Sequence, residues 1–152
     1  MTFKEKVQTM NSGQIIMAMV TALEKPSIKI NMNSYGHYST VETWFGLSKK
    51  NVCFGCAATN TVCQIAGIKF TAENISVGIT RAQAVQTDDS FLYGFEVAID
   101  SLRKGDLPQY NYIAKANGFA EIEDNGMPLP YLETIYTREQ LDTFVTLAQG
   151  QQ

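Results

Sequence analysis

Chemistry in this sequence would have to start from three cysteines and one histidine, Cys53, Cys56, Cys63 and His37. Cys53-Phe-Gly-Cys56 has the spacing of a thiol pair, and at the start of a helix free N–H groups and the helix dipole stabilise a thiolate. Cys53 and Cys56 are therefore the candidate thiol site, for electron exchange or for holding a metal. Two considerations run against both uses. A thioredoxin-like pair sits beside a strand-helix-strand pattern that these flanks lack. Cys56 and Cys63 stand two helical turns apart, roughly 10 Å by helical rise, whereas two ligands of one zinc are about 4 Å from each other. A site of Cys53, Cys56, Cys63 and His37 would need a broken helix, so neither a metal nor another cofactor is expected. Free cysteines are among the residues most often buried. Cys56 and Cys63 are accordingly expected in the core, with Cys53 a partly exposed thiol beside the helix start.

As the sole histidine, His37 would have to be the base of any serine or cysteine hydrolase mechanism. It stands in a polar, aromatic stretch, Tyr35-Gly-His-Tyr38, with no orienting third residue and no nucleophile motif nearby. No catalytic residue is assigned on this basis, and an enzyme is not the preferred reading. The aromatic set around it suits recognition better. Tyr35, His37, Tyr38, Trp44 and Phe54 form the candidate binding surface, because Tyr and Trp are enriched at interfaces; for Trp44 and Phe54 the competing role is ordinary core packing. Lys49 and Lys50 beside these rings are too few to hold a nucleic-acid backbone.

Two acidic patterns complete the inventory. Glu96 and Asp100 lie one helical turn apart, as an acid/base pair would, but Asp100 also has Arg103 and Lys104 within reach on a solvated face. The run Glu121-Ile-Glu-Asp-Asn125-Gly126 has a calcium-loop flavour, yet its first position is not Asp, two prolines follow, and Leu132 occupies the place of the bidentate Glu.

The elements that must carry these residues read mostly as helices. Thr2 with Glu5 is a capping box before Phe3, Val7 and Met10, and Ser12 opens a second helix with an Ile15, Ile16, Met19, Val20, Leu23 stripe that Pro26 ends. Alternation at Ile28, Ile30 and Met32 predicts a short strand. Ser39 with Glu42 reads as a capping box for a short helix carrying Trp44, Phe45 and Leu47. Residues 52–66 read as a helix closed by Gly67, with a face of small residues (Val52, Cys56, Thr59, Cys63, Ala66) that lets a bulky neighbour approach, Trp44 being one candidate. Such a helix should lie centrally. Further short helices follow Thr71 and Thr80.

Phe91, Leu92, Phe95, Ala98, Ile99 and Leu102 keep strict helical period, capped at Asp88, Asp89 or Ser90 and ended by Arg103, Lys104 and Gly105. Pro108 suits the first turn of the next helix, which Gly118 closes. Residues 119–136 are different: alternating Ala120 and Ile122, an Asn125-Gly126 turn, Pro128 and Pro130 predict a structured loop with a small hairpin. Thr137 with Gln140 then caps a last helix.

The expected fold is therefore mainly α, one domain over residues 1–152, a compact array of about six to eight mostly short helices with one small β-hairpin or short strand. At 45% hydrophobic and 18% charged residues the chain is of globular type and can complete a core without staples. A formal charge of −3 supplies no field for phosphates, so nucleic acid is an unsuited partner. The odd cysteine number points to a reducing, cytoplasmic setting. The apolar run ending at Leu23 is too short to span a bilayer, and Glu5 is foreign to a signal segment, so no membrane association is expected. The function expected is a noncatalytic helical module that binds a protein partner or its own copy, through the 33–54 region or the proline loop. The alternatives are a thiol-based redox or metal-binding protein using Cys53 and Cys56, and a domain holding a small ligand between helices at Tyr35, His37 and Trp44.

Overall fold

The computed structural model describes residues 1–42, 49–75 and 78–151. Among them run α1 (Phe3–Thr9), α2 (Ser12–Glu24), β1 (Lys29–Ile30), β2 (His37–Glu42), β3 (Lys49–Gly55), α3 (Ala57–Ala66), α4 (Gly78–Ala84), α5 (Asp89–Arg103), α6 (Leu107–Asn117) and α7 (Arg138–Gln149). The architecture is mainly α with a small sheet, as the periodicity predicts. Several helix starts follow the cap chemistry read from sequence. Thr2 and Glu5 form a reciprocal capping box, as do Thr137 and Gln140, and the Asp88 carboxylate accepts from the Phe91 amide. The start of α2 differs by one residue: Asn11, paired reciprocally with Gln14, is the cap, and Ser12 is already helical.

The larger corrections fall between residues 37 and 56. Ser39 and Glu42 do not open a helix; they lie in β2, which pairs antiparallel with β3, Ser39 opposite Val52 and Glu42 opposite Lys49. Trp44, Phe45 and Leu47 lie outside the described residues, and with them the expected packing of Trp44 on α3. The helix expected over 52–66 begins only at Ala57, so Cys53 is a strand residue and Cys56 is the N-cap of α3. A long-range partner strand overrides a local helical pattern here. The Asn125-Gly126 turn exists, with Gly126 at φ +79, but residues 121–133 form neither strand nor helix. Pro128 and Pro130 have no amide to give a ladder. Side chains replace it: the Asn111 carboxamide donates to Ile122 O at 2.9 Å and accepts from Ile122 N at 2.7 Å. The Gln151 amide does the same for Glu123, at 2.9 Å in both directions. No helix follows Thr71 directly; Thr71 N donates to Asn74 Oδ1 and the segment makes a turn.

The sheet order is β1-β3-β2, with β1 parallel to β3 (Lys29 opposite Phe54, Ile30 opposite Gly55). From Ala57 to Cys63 every residue of α3 is buried, and α3 packs against both α2 and α5, so the central position expected from its small side chains holds. Asn60 ties this corner together. Its carboxamide accepts from Ile28 N at 3.0 Å and donates to Gly55 O and Cys56 O at 3.3 and 3.1 Å. A Cβ on Gly55 would stand 2.5 Å from Ile28 Cδ1, so the strand approaches at a distance only glycine allows. The buried side chains form one continuous cluster, in which Phe3 meets Phe95 edge-on at 5.3 Å and Phe95 meets Phe119 at 5.6 Å.

A cleft between the Tyr35 loop and the proline segment

The candidate residues do not all converge. Tyr35 and Cys56 line one cavity of about 270 Å³, together with Asn33, Ser34, Asp100, Arg103, Lys104 and Tyr131. A second cavity of about 320 Å³ continues past Met32, Asn33, Arg103 and Tyr131 to Glu133, Thr134 and Ile135. Shared walls make these one cleft. One side is the loop leading into β2, the other is the end of the proline segment, and the floor is the C-terminal turn of α5.

Arg103 builds this floor. Its Nε donates to Asp100 Oδ1 at 2.8 Å, Nη1 to Leu132 O at 2.7 Å and Nη2 to Met32 O at 3.3 Å, and its guanidinium lies 5.2 Å from the Tyr131 ring centroid. The fork geometry of guanidinium serves both walls at once, which an ammonium does not do. Leu132 N returns a bond to Arg103 O at 2.8 Å, and Met32 N donates to Thr134 Oγ1 at 3.1 Å across the cleft. Asp100 is shared, since Lys104 Nζ stands 3.1 Å from its other oxygen. That pairing is the one read from sequence.

The Tyr35 wall is set from below. Thr59 Oγ1 donates to the Tyr35 carbonyl and lies 3.3 Å from Glu96 Oε2 and 3.7 Å from Cys56 Sγ. Glu96 is buried and receives Arg81 Nη2 at 3.0 and 3.2 Å, while Arg81 Nη1 donates to Ile75 O at 2.9 Å. That same Ile75 carbonyl presses on the loop: a Cβ at Gly36 would be 2.4 Å from it. Burial pushes the Tyr35 phenol well up, reinforced by Asp100, so it remains a neutral hydroxyl at the cleft. Burial also raises the Glu96 carboxyl, opposed by Arg81.

The remaining candidates separate from the cleft. His37 stacks on Phe54 with centroids 4.9 Å apart and planes 6° from parallel, and Lys29 Nζ stands 5.8 Å from the Phe54 centroid. Phe54 therefore packs on the sheet surface rather than in the core. His37 Nδ1 and Ser34 Oγ are 3.0 Å apart, but the same oxygen accepts from Gly36 N at 3.2 Å, so the contact closes a local turn. Tyr38 lies in β2 opposite Cys53, and its side chain, like Trp44, lies outside what is described. Cys53 is half-buried, one residue before Phe54 and thus on the opposite face of β3. Cys56 and Cys63 are buried, as expected, and burial pushes both thiols up, away from the thiolate that redox exchange or metal ligation requires. Among the described residues no group of three or more His, Cys, Asp or Glu is placed to hold a metal ion.

Sequence reading missed the cleft's rim. Tyr93 (62% exposed) stands edge-on to Tyr35 at 6.4 Å, Tyr131 is 53% exposed, and Ile135 is 91% exposed. Glu96 and Arg103 did carry a signal, since they continue the Leu92, Ile99 stripe of α5 at steps of three and four. A larger groove of about 570 Å³, lined by Met10, Met17 and Ile65, lies along α1, α2 and α3 and contains none of the candidate residues. No helix among the described residues is long and apolar enough to cross a membrane. No protein-family model matches this chain, and neither a curated protein nor a solved structure matches it.

Proposed function

We propose that the protein is a noncatalytic binding module that recognises a protein partner at the cleft between the Tyr35 loop and residues 131–135. The observation that carries this is Arg103, whose single guanidinium holds Met32 O and Leu132 O and so joins the backbone immediately before the 33–54 region to the proline loop. The rim supports a protein partner. Tyr93, Tyr131 and Ile135 offer exposed apolar area, and Tyr with Arg is the composition of interface hot spots. Asp100, Lys104 and Glu133 line the cleft as charges of both signs, the character of a polar interface rather than of an apolar pocket with a few converging polar groups. The raised thiols of Cys56 and Cys63 disfavour the redox alternative. Three free thiols suit a reducing compartment such as the cytoplasm.

The test compares wild type with Tyr131→Ala/Ile135→Asp. Ile135 is exposed and Tyr131 gives up only its ring contact with Arg103, so stability should stay within about 1 kcal/mol per site. Proteins retained from extracts of the native host, and the solution mass by sedimentation velocity, are expected to lose one associated species in the double variant. A Met17→Asp control in the distant groove should keep that species. Retention of the same species by the cleft variant, or its loss with the groove variant alone, overturns the proposal.

A further inference from the structure

The hydroxyl of Thr59 has one proton and two oxygen neighbours that compete for it, although Glu96 Oε2 also receives Arg81 Nη2 at 3.2 Å. The Tyr35 carbonyl can only accept, and an ionised Glu96 can only accept, yet both face Thr59 Oγ1, the second at 3.3 Å. If the proton goes to Tyr35, an ionised Glu96 Oε2 meets a lone pair. If it goes to Glu96, the Tyr35 carbonyl loses its donor. A neutral Glu96 removes the conflict, because its carboxyl proton goes to Thr59 Oγ1 and the Thr59 proton to Tyr35 O. We infer that Glu96 is a positioning residue for the cleft, its protonation state deciding, through the single proton of Thr59, whether the Tyr35 wall is held.

The groups that face Glu96 set the balance from each neighbouring element. Arg81 of α4 and a hydrogen bond from the Thr59 hydroxyl of α3 favour the carboxylate; Asp89 on α5 itself, the Tyr35 phenol of the loop, and the Cys56 and Cys63 thiols of α3 and its cap favour the neutral acid when charged. Burial is the largest influence and acts with the second group. The wall has a second tie to the same pair, because Arg81 fixes the Ile75 carbonyl against Gly36. Protonation therefore tightens one tie and leaves the other in place, so the wall shifts between held and loosened without unfolding of the core. The functional meaning of this device rests on the cleft being the recognition site; its existence does not.

The experiment is a pH titration of the full chain by carbon-detected NMR, following the Glu96 carboxyl and the Tyr35 carbonyl. In the wild type the two signals are expected to move with one midpoint. In Thr59→Val the Glu96 titration should persist while the Tyr35 response is lost, and amides of residues 34–36 should exchange about fivefold to tenfold faster, the loss of roughly one hydrogen bond. Thr59→Ser should restore both. If Thr59→Val fails to fold, Glu96→Gln decides, since it has no titrating group and should leave the Tyr35 carbonyl independent of pH. A Glu96 that does not titrate while the protein stays folded, a Tyr35 signal that ignores it, or coupling that survives Thr59→Val or Glu96→Gln each overturns the inference. No partner is needed, so failure here is distinct from failure of the binding proposal, which the cleft-rim double variant tests.

Discussion

Arg81 and Arg103 are both buried cations, and α5 faces a carboxylate toward each, yet the two are held in different ways. Arg81 leans on Glu96, which is itself removed from water, and its only other partner among the described residues is Ile75 O; its Nε has none. Arg103 leans mainly on peptide carbonyls, and its carboxylate, Asp100, keeps some contact with solvent and a second cation in Lys104. The carboxylate is therefore dedicated to one cation at the first site and shared between two at the second. The contrast teaches where this molecule is brittle. The interior pair fixes the loop through Glu96 and Thr59, while the cleft floor is a clamp that tolerates changes in charge but not in shape.

That contrast can be broken by substitution. The largest effect is expected for Arg81→Met, which strands a buried carboxylate and should cost about 3–5 kcal/mol in urea unfolding. The sign with pH follows from Glu96. Its folded value is raised, so the stability it contributes is present below the ordinary carboxyl range and lost as pH rises through the raised value. Without Arg81 that rise is larger. The variant should be more stable at about pH 5 than at about pH 8, by a wider margin than the wild type. Arg103→Met comes next, at about 2–4 kcal/mol, because two buried carbonyls lose their donor. Its damage should be local, appearing as faster amide exchange at residues 31–35 and 131–135 with α2 and α7 unaffected. Asp100→Asn should be smallest, at most about 1 kcal/mol, since the amide oxygen still accepts from Arg103. A loss at Asp100 equal to that at Arg81 would erase the distinction between the two sites.

The sequence made helix ends legible because capping is local: Thr2 with Glu5, Thr137 with Gln140 and Asp88 each settle their bonds within three residues. The alternation at Ile28, Ile30 and Met32 did mark β1, but β2 and β3 were hidden for the opposite reason. Ser39 and Glu42 satisfy a capping pattern, but their backbones are engaged by Val52 and Lys49, partners a local window does not contain. The same long reach displaced the start of α3 from Val52 to Ala57 and moved Cys53 onto a strand. At the candidate site Tyr35 and Cys56 were legible as residue types, while their meeting with Tyr131 depends on Arg103 crossing from α5 to two separate loops. The expected hairpin failed on bonding chemistry. Prolines 128 and 130 leave a backbone that side-chain amides, not a neighbouring strand, hold in place.

The corner at Gly55 and Asn60 has a consequence for ancestry. One carboxamide there serves three peptide groups, from the residue before β1, the end of β3 and the cap of α3, and the strand beside it has no room for a side chain. A shorter or longer amide misses its partners, and a carboxylate at that place has no proton to give the two carbonyls. Any distant cousin that turns from strand into helix in this manner must keep glycine and asparagine five positions apart, with small residues between them. That doublet is a handle by which remote descendants of this architecture can be sought, even after the remainder of their sequence has drifted beyond likeness.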